Sequence, residues 1–123
     1  MGYSAYVLME ESRQKLLERF PPSFPQVIAH HITYRFPDKK PPPHLEKAVV
    51  IGHCKGENIE CLVVTLGGTH QRPKGGVFHI TLSLDRSAGA KPVHSNKILK
   101  KGWISISQPI DIQIIPQLIS ING

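Results

Sequence analysis

Val77-Phe78-His79-Ile80-Thr81-Leu82-Ser83-Leu84-Asp85 alternates without a break, which is the two-residue period of a half-buried strand. Phe78, Ile80, Leu82 and Leu84 share one face, and that face wants a core. Val77, His79, Thr81, Ser83 and Asp85 share the other, which lines up an imidazole, two hydroxyls and a carboxylate. The pattern has an earlier counterpart in Val27-Ile28-Ala29-His30-His31-Ile32-Thr33-Tyr34-Arg35-Phe36. There Ile28, Ile32, Tyr34 and Phe36 form the apolar face, and Ala29, His31, Thr33 and Arg35 the polar one. His-Ile-Thr therefore occurs twice, at 31–33 and 79–81, 48 residues apart and in the same phase. One copy is unspecific. Two in matching phase read as two halves of one site.

The rest of the chain supplies the frame for these two strands. Tyr3 to Met9 is apolar and β-prone, a first strand. Glu10 to Phe20 carries Leu16, Leu17 and Phe20 at helical spacing, starts with two acids and stops at Pro21-Pro22, the expected pattern of a short helix. The first motif strand runs from about Gln26 to Phe36, and Pro37 to Pro43 is a stiff basic loop. Lys47 to Cys54 and Ile59 to Leu66 form a hairpin, and Gly67 to Gly76 is a flexible basic loop entering the second motif. After it, Arg86 to His94 is irregular. Ser95 reads as the N-cap of a helix from Asn96 to Lys101, stopped by Gly102. Trp103 to Ser107 and Ile110 to Ile115 read as two strands separated by Pro109. The expectation is a single α+β domain over residues 1–123, mostly antiparallel strands with two short helices.

With 40% hydrophobic and 20% charged residues the chain is globular in composition. A formal charge of +6 favours polyanionic partners such as RNA or a nucleotide. No apolar run approaches the roughly 20 residues of a membrane span, and no secretory leader pattern opens the sequence, so a soluble cytoplasmic protein with no membrane partner is expected. Its oligomeric state is not legible, with a monomer as the default. Cys54 and Cys61 flank a turn and face each other across two strands. They read as reduced, packed thiols, with a disulfide or a metal pair with His53 as the alternative.

A histidine beside a hydroxyl exchanges a proton and holds an oxyanion at once. Two such pairs facing one cleft place a base on one side of a phosphate and an acid on the other, work that suits an unperturbed imidazole pKa of about 6.5. His31 and His79 are the candidate catalytic groups, and Thr33 and Thr81 the donors to non-bridging oxygens. Arg35, on the face of His31, and Arg72 and Lys74, in the basic loop, are candidate phosphate-binding cations. Arg35 pairing with Asp85 or a glutamate, and solvated loop charges, are the alternatives. No metal or other cofactor is called for. His30 falls on the apolar face as a packed histidine. His44, His53, His70 and His94 lack metal-ligand spacing, though His70 or His94 is placed to overhang the cleft. Tyr6, Tyr34 and Trp103 are candidate base-stacking groups, with core packing favoured for Tyr34.

His31-Ile32-Thr33 and His79-Ile80-Thr81, each inside an apolar strand, resemble the paired HxT signature of the two-histidine (2H) phosphoesterases. The stretch from His79 through Lys91-Pro92-Val93-His94-Ser95-Asn96 is most similar to the compact RNA-repair branch, and the resemblance spans roughly Tyr3 to Ile115. It implies a bilobal fold, with two mostly antiparallel sheet lobes around a central cleft. It also implies metal-independent hydrolysis of a 2′,3′-cyclic phosphate, or a 2′-5′ linkage, at an RNA end or on a small nucleotide, in RNA repair or processing. One histidine deprotonates water and the other protonates the leaving ribose oxygen; the sequence does not say which. Two other functions stay open: a non-catalytic RNA-binding module, and a hydrolase of cyclic or 2′-5′ oligonucleotide signals. This chain departs from the larger members in its short length and tight motif spacing, which bears on substrate class more than on mechanism.

Overall fold

Both motif segments become strands of one antiparallel sheet. The computed structural model describes residues 1–121. In chain order the elements are β1 (Gly2–Leu8), α1 (Glu10–Arg19), β2 (Gln26–Val27), β3 (His31–Asp38), β4 (Lys47–Lys55), β5 (Ile59–Thr65), β6 (His79–Leu84), α2 (Ser95–Lys100) and β7 (Ile104–Ser120). The strand order is β2-β6-β3-β1-β7-β4-β5, and β5 returns to pair with β6. Six strands thus close into a barrel, with β2 added beside β6. Closure leaves those six strands without an open edge. As expected, the chain combines mostly antiparallel strands with two short helices, and the strands form one continuous sheet. β5 makes the closure: it is buried along Ile59–Val64 and pairs with β4 on one side and β6 on the other. Among the described residues, no helix is long and apolar enough to cross a membrane.

The core holds Tyr6, Ile32, Val50, Leu62, Phe78, Ile80, Leu82 and Ile112, with Leu16 of α1 packed among them. Each fully buried aliphatic side chain of this kind stabilises the fold by about 1.5–3 kcal/mol. A second layer forms where Leu99 of α2 packs with Cys54, Cys61 and Val63 of β4 and β5. Cys54 lies opposite Cys61 in the ladder, as two free, buried thiols. Burial pushes the Cys61 thiol up to about 12, so it stays protonated at neutral pH.

Four departures from simple alternation decide what reaches the site. The first motif strand is broken: Ala29 is fully buried with φ 43°, and its N–H donates to the Thr81 carbonyl. That turn sends His30 to solvent instead of into the core. Farther along β3, the pairs Ala5–Thr33, Ser4–Arg35 and Gly2–Asp38 show two successive register shifts, each inserting one unpaired residue and re-aiming the side chains beyond it. In β6, Leu82 is extra between the pairs Cys61–Thr81 and Glu60–Ser83, so Ser83 and Leu84 leave the faces that strict alternation gives them. Leu84 packs with Ile59 and Ala90, while Asp85 accepts a hydrogen bond from the Ser87 N–H. Finally, β7 is one strand, not two. Pro109 falls between the pairs Gly52–Ser105 and Val50–Ile110, where an irregular register spares it a ladder hydrogen bond.

Two smaller expectations also change. Ser95 is the first residue of α2 and fully buried, not its cap. The Gly67–Gly76 loop is folded back on itself: the Arg72 N–H donates to the Gly76 carbonyl at 3.0 Å, and Gly75 and Gly76 take φ of 99° and 85°, a region that favours glycine.

Ser83 and the turn after α1 converge on Glu60, whose side chain is only 1% exposed. Its carboxylate accepts from the Ser83 hydroxyl and the Ser23 N–H, each at 2.6 Å, from His53 Nε2 at 3.1 Å and from the Ser23 hydroxyl at 3.2 Å. Burial raises its pKa, but these donors outweigh it and hold it below the usual carboxylate range. A depressed carboxylate stabilises the fold above its unfolded pKa, and that contribution is lost as pH falls through the folded value. Glu60→Gln is expected to cost about 2–3 kcal/mol at pH 7, with the gap to wild type narrowing in acid. Urea melts of both proteins at pH 7 and at pH 4 check this.

Candidate active site

β3 and β6 pair antiparallel with Ile32 opposite Ile80. Carried one residue to each side, that register sets His31 across from Thr81 and Thr33 across from His79. The two motifs are thus related by a local twofold axis through the isoleucine pair. Facing residues in such a ladder lie about 4.5–5.5 Å apart and diagonal ones about 7–8 Å, so the histidines hold one diagonal and the threonines the other. Ile32 and Ile80 are fully buried, which turns the four polar side chains away from the core. They line a cleft of about 570 Å³, walled by Tyr3 and Phe36 on one part and Pro92, Val93 and Asn96 on another, with Arg72 among its lining.

The two histidines are held differently. His79 Nδ1 lies 2.7 Å from the Val77 carbonyl oxygen. A carbonyl only accepts, so Nδ1 carries the proton and the neutral ring keeps its lone pair on Nε2. Burial lowers the His79 pKa; the Val77 carbonyl offsets part of this, and the Arg72 charge lowers it further. His31 Nδ1 lies 3.0 Å from His30 Nδ1, and its Nε2 lies 3.4 Å from the Tyr3 hydroxyl. Burial first, then the neighbouring His30 and His79, bring the His31 pKa down to about 4. Both rings are thus disposed to be neutral at neutral pH. A phosphate entering the cleft brings the negative charge that favours the imidazolium form.

The threonines and Arg72 complete the pocket. Thr81 is 9% exposed, and its hydroxyl lies 3.0 Å from that of Ser95. Arg72 donates from Nε to the Gly75 carbonyl at 3.2 Å, and a β-carbon at Gly76 would sit 3.4 Å from its Nη2. The glycine pair lets the loop close tightly around the guanidinium.

His31, Thr33, His79, Thr81 and Arg72 therefore share one cleft. Arg35 and Lys74 do not: they line a separate hollow, because the register shifts of β3 exchange Arg35 for Phe36 at the cleft. Arg35 pairs with neither Asp85 nor a glutamate; its charge faces Asp38. Tyr6 is fully buried and donates to the Pro43 carbonyl, Tyr34 stacks on Phe78, and Trp103 packs under α2, so none of the three lines the cleft. The aromatic pair that does is Tyr3 and Phe36, with ring centroids 5.6 Å apart. The sequence holds no local signal for it, since pairing across β1 and β3 creates it. Among the other histidines, His53 bonds Glu60, His70 packs against Trp103, His44 faces Glu46, and His94 Nδ1 accepts from the Lys91 N–H. Among the described residues, no three His, Cys, Asp or Glu side chains are grouped to hold a metal ion.

The depressed His31 pKa has a stability consequence. The unfolded chain takes up this proton near pH 6.5 and the folded one near pH 4, so this group makes stability rise with pH across that window. His31→Ala is expected to remove part of the slope between pH 4 and 6.5. Chemical denaturation at half-unit pH steps measures it, and an unchanged slope would place His31 in water.

Comparison with protein-family models, curated proteins and solved structures finds no match to this chain.

Proposed function

We propose that the chain is a two-histidine phosphoesterase that hydrolyses a 2′,3′-cyclic phosphate at an RNA end or on a small nucleotide. The observation that carries this reading is the Ile32–Ile80 register, which brings both His-x-Thr motifs to one cleft about a local twofold axis. The resemblance to the 2H phosphoesterases supports it, while the two-lobed arrangement typical of that superfamily remains part of the proposal.

In this proposal His79 is the base. Its Nε2 lone pair takes a proton from water, whose oxygen attacks phosphorus. The bond from phosphorus to one ribose oxygen breaks, and His31, entering the step as imidazolium, delivers its proton to that oxygen. One proton is taken up at His79 and one released at His31, so exchange with solvent resets the pair. Thr33, Thr81 and Arg72 hold the non-bridging oxygens, where charge builds up. No step draws on a metal.

The second reading is an RNA-binding module without turnover. It draws on the fact that His30 and Tyr3 approach both ring nitrogens of His31.

Turnover separates the two. Wild-type protein in EDTA is expected to open 2′,3′-cyclic mononucleotides or RNA bearing such an end. His31→Ala and His79→Ala should each lower kcat by about 10²–10⁴-fold while remaining folded. His30 is exposed, so His30→Ala should change stability by no more than about 0.5 kcal/mol. Activity lost in EDTA and restored by a divalent ion would contradict the mechanism, and binding without turnover would favour the second reading.

A further inference from the structure

Arg35 leaves the cleft for a hollow of about 880 Å³, which it lines together with Lys39, Lys40 and Lys74, beside Asp38 and Leu118. Four cationic side chains thus meet one carboxylate. That carboxylate is already engaged: Asp38 accepts from the Ser4 hydroxyl at 2.7 Å and from the Lys39 N–H at 2.8 Å. Arg35 is not satisfied in the same way. Its Nε is buried with no hydrogen-bond partner, the one such side-chain atom among the described residues. A buried charged donor left unpaired is destabilising, and an anionic oxygen hydrogen-bonded to it would relieve that.

The hollow adjoins the cleft twice along the chain. Phe36 lines the cleft and Pro37 the hollow; Arg72 lines the cleft and Lys74 the hollow. We propose that the hollow takes backbone phosphates of a single-stranded RNA whose 3′ end lies in the cleft. The position of that end rests on the proposed function; the charge and the unpaired donor of the hollow do not. The substrate is then an RNA strand of several nucleotides, gripped at its end by the cleft and upstream by the hollow.

Anisotropy titration of a labelled RNA octamer ending in a 3′-phosphate, repeated across salt concentrations, tests this without requiring turnover. Each phosphate contact on a single strand contributes about 0.7 to the slope of log K against log salt. Arg35→Gln/Lys74→Gln should weaken binding and lower the slope by about 1.4, two contacts' worth. Lys39→Gln/Lys40→Gln, confined to the surface, should act in the same direction and guards against loss of fold in the first variant. Wild-type affinity and slope in both variants would overturn the inference, as would no binding by the wild type. Hydrolysis of a cyclic end together with unchanged slopes would remove the hollow and keep the cleft. Binding that responds to these variants, with no hydrolysis, would keep the hollow and remove the phosphoesterase.

Discussion

Ile32 and Ile80 face each other across β3 and β6 with both side chains fully buried. The chemistry of the cleft hangs on that pair. A slip of one residue in either strand would turn His31 and Thr33, or His79 and Thr81, into the core, where an unpartnered imidazole or hydroxyl costs several kcal/mol. Hydrophobic burial thus positions the polar groups without touching them. Closure of the barrel through β5 and β6 reinforces the register, since β6 is held by β3 on one side and by β5 on the other.

The cleft is electrostatically prepared for an anion. Burial disfavours charge on both histidines, and Arg72 adds a positive field at His79. In the proposed reaction an arriving phosphate would compensate both effects, so that protonation of one ring becomes favourable. The two rings are also differentiated. The Val77 carbonyl fixes the His79 tautomer, whereas His31 shares its environment with His30 and Tyr3. Two motifs identical in sequence are thereby given different surroundings by their second partners, which is the asymmetry that the proposed acid and base roles need.

Much of this was legible in the sequence where local period governs. The alternation from Phe78 to Leu82, the α1 helix, the β4–β5 hairpin with Cys54 facing Cys61, and the shared face of His31, Thr33, His79 and Thr81 all follow from residue types and spacing. What escaped was set by pairing between distant strands. Phe36 replaces Arg35 in the cleft because β3 gains two residues against β1. Ser83 leaves the motif face because β6 gains one against β5, and its hydroxyl instead meets a buried glutamate. His30 went wrong through Ala29, a residue with no intrinsic tendency to positive φ, whose conformation is imposed by its hydrogen bond to Thr81. Closure into a barrel is likewise invisible to any single window of sequence, because it is a pairing of β5 with β6.

Titrating the protein with a 3′-mononucleotide, while following the histidine ring signals by NMR, tests most directly whether one phosphate meets both motifs. The expected result is that His31 and His79 shift together along one saturation curve with a single Kd, while His44, exposed beside Glu46, does not move. Saturation of one ring without the other, or two curves with different midpoints, would mean that the paired motifs do not form a single phosphate site.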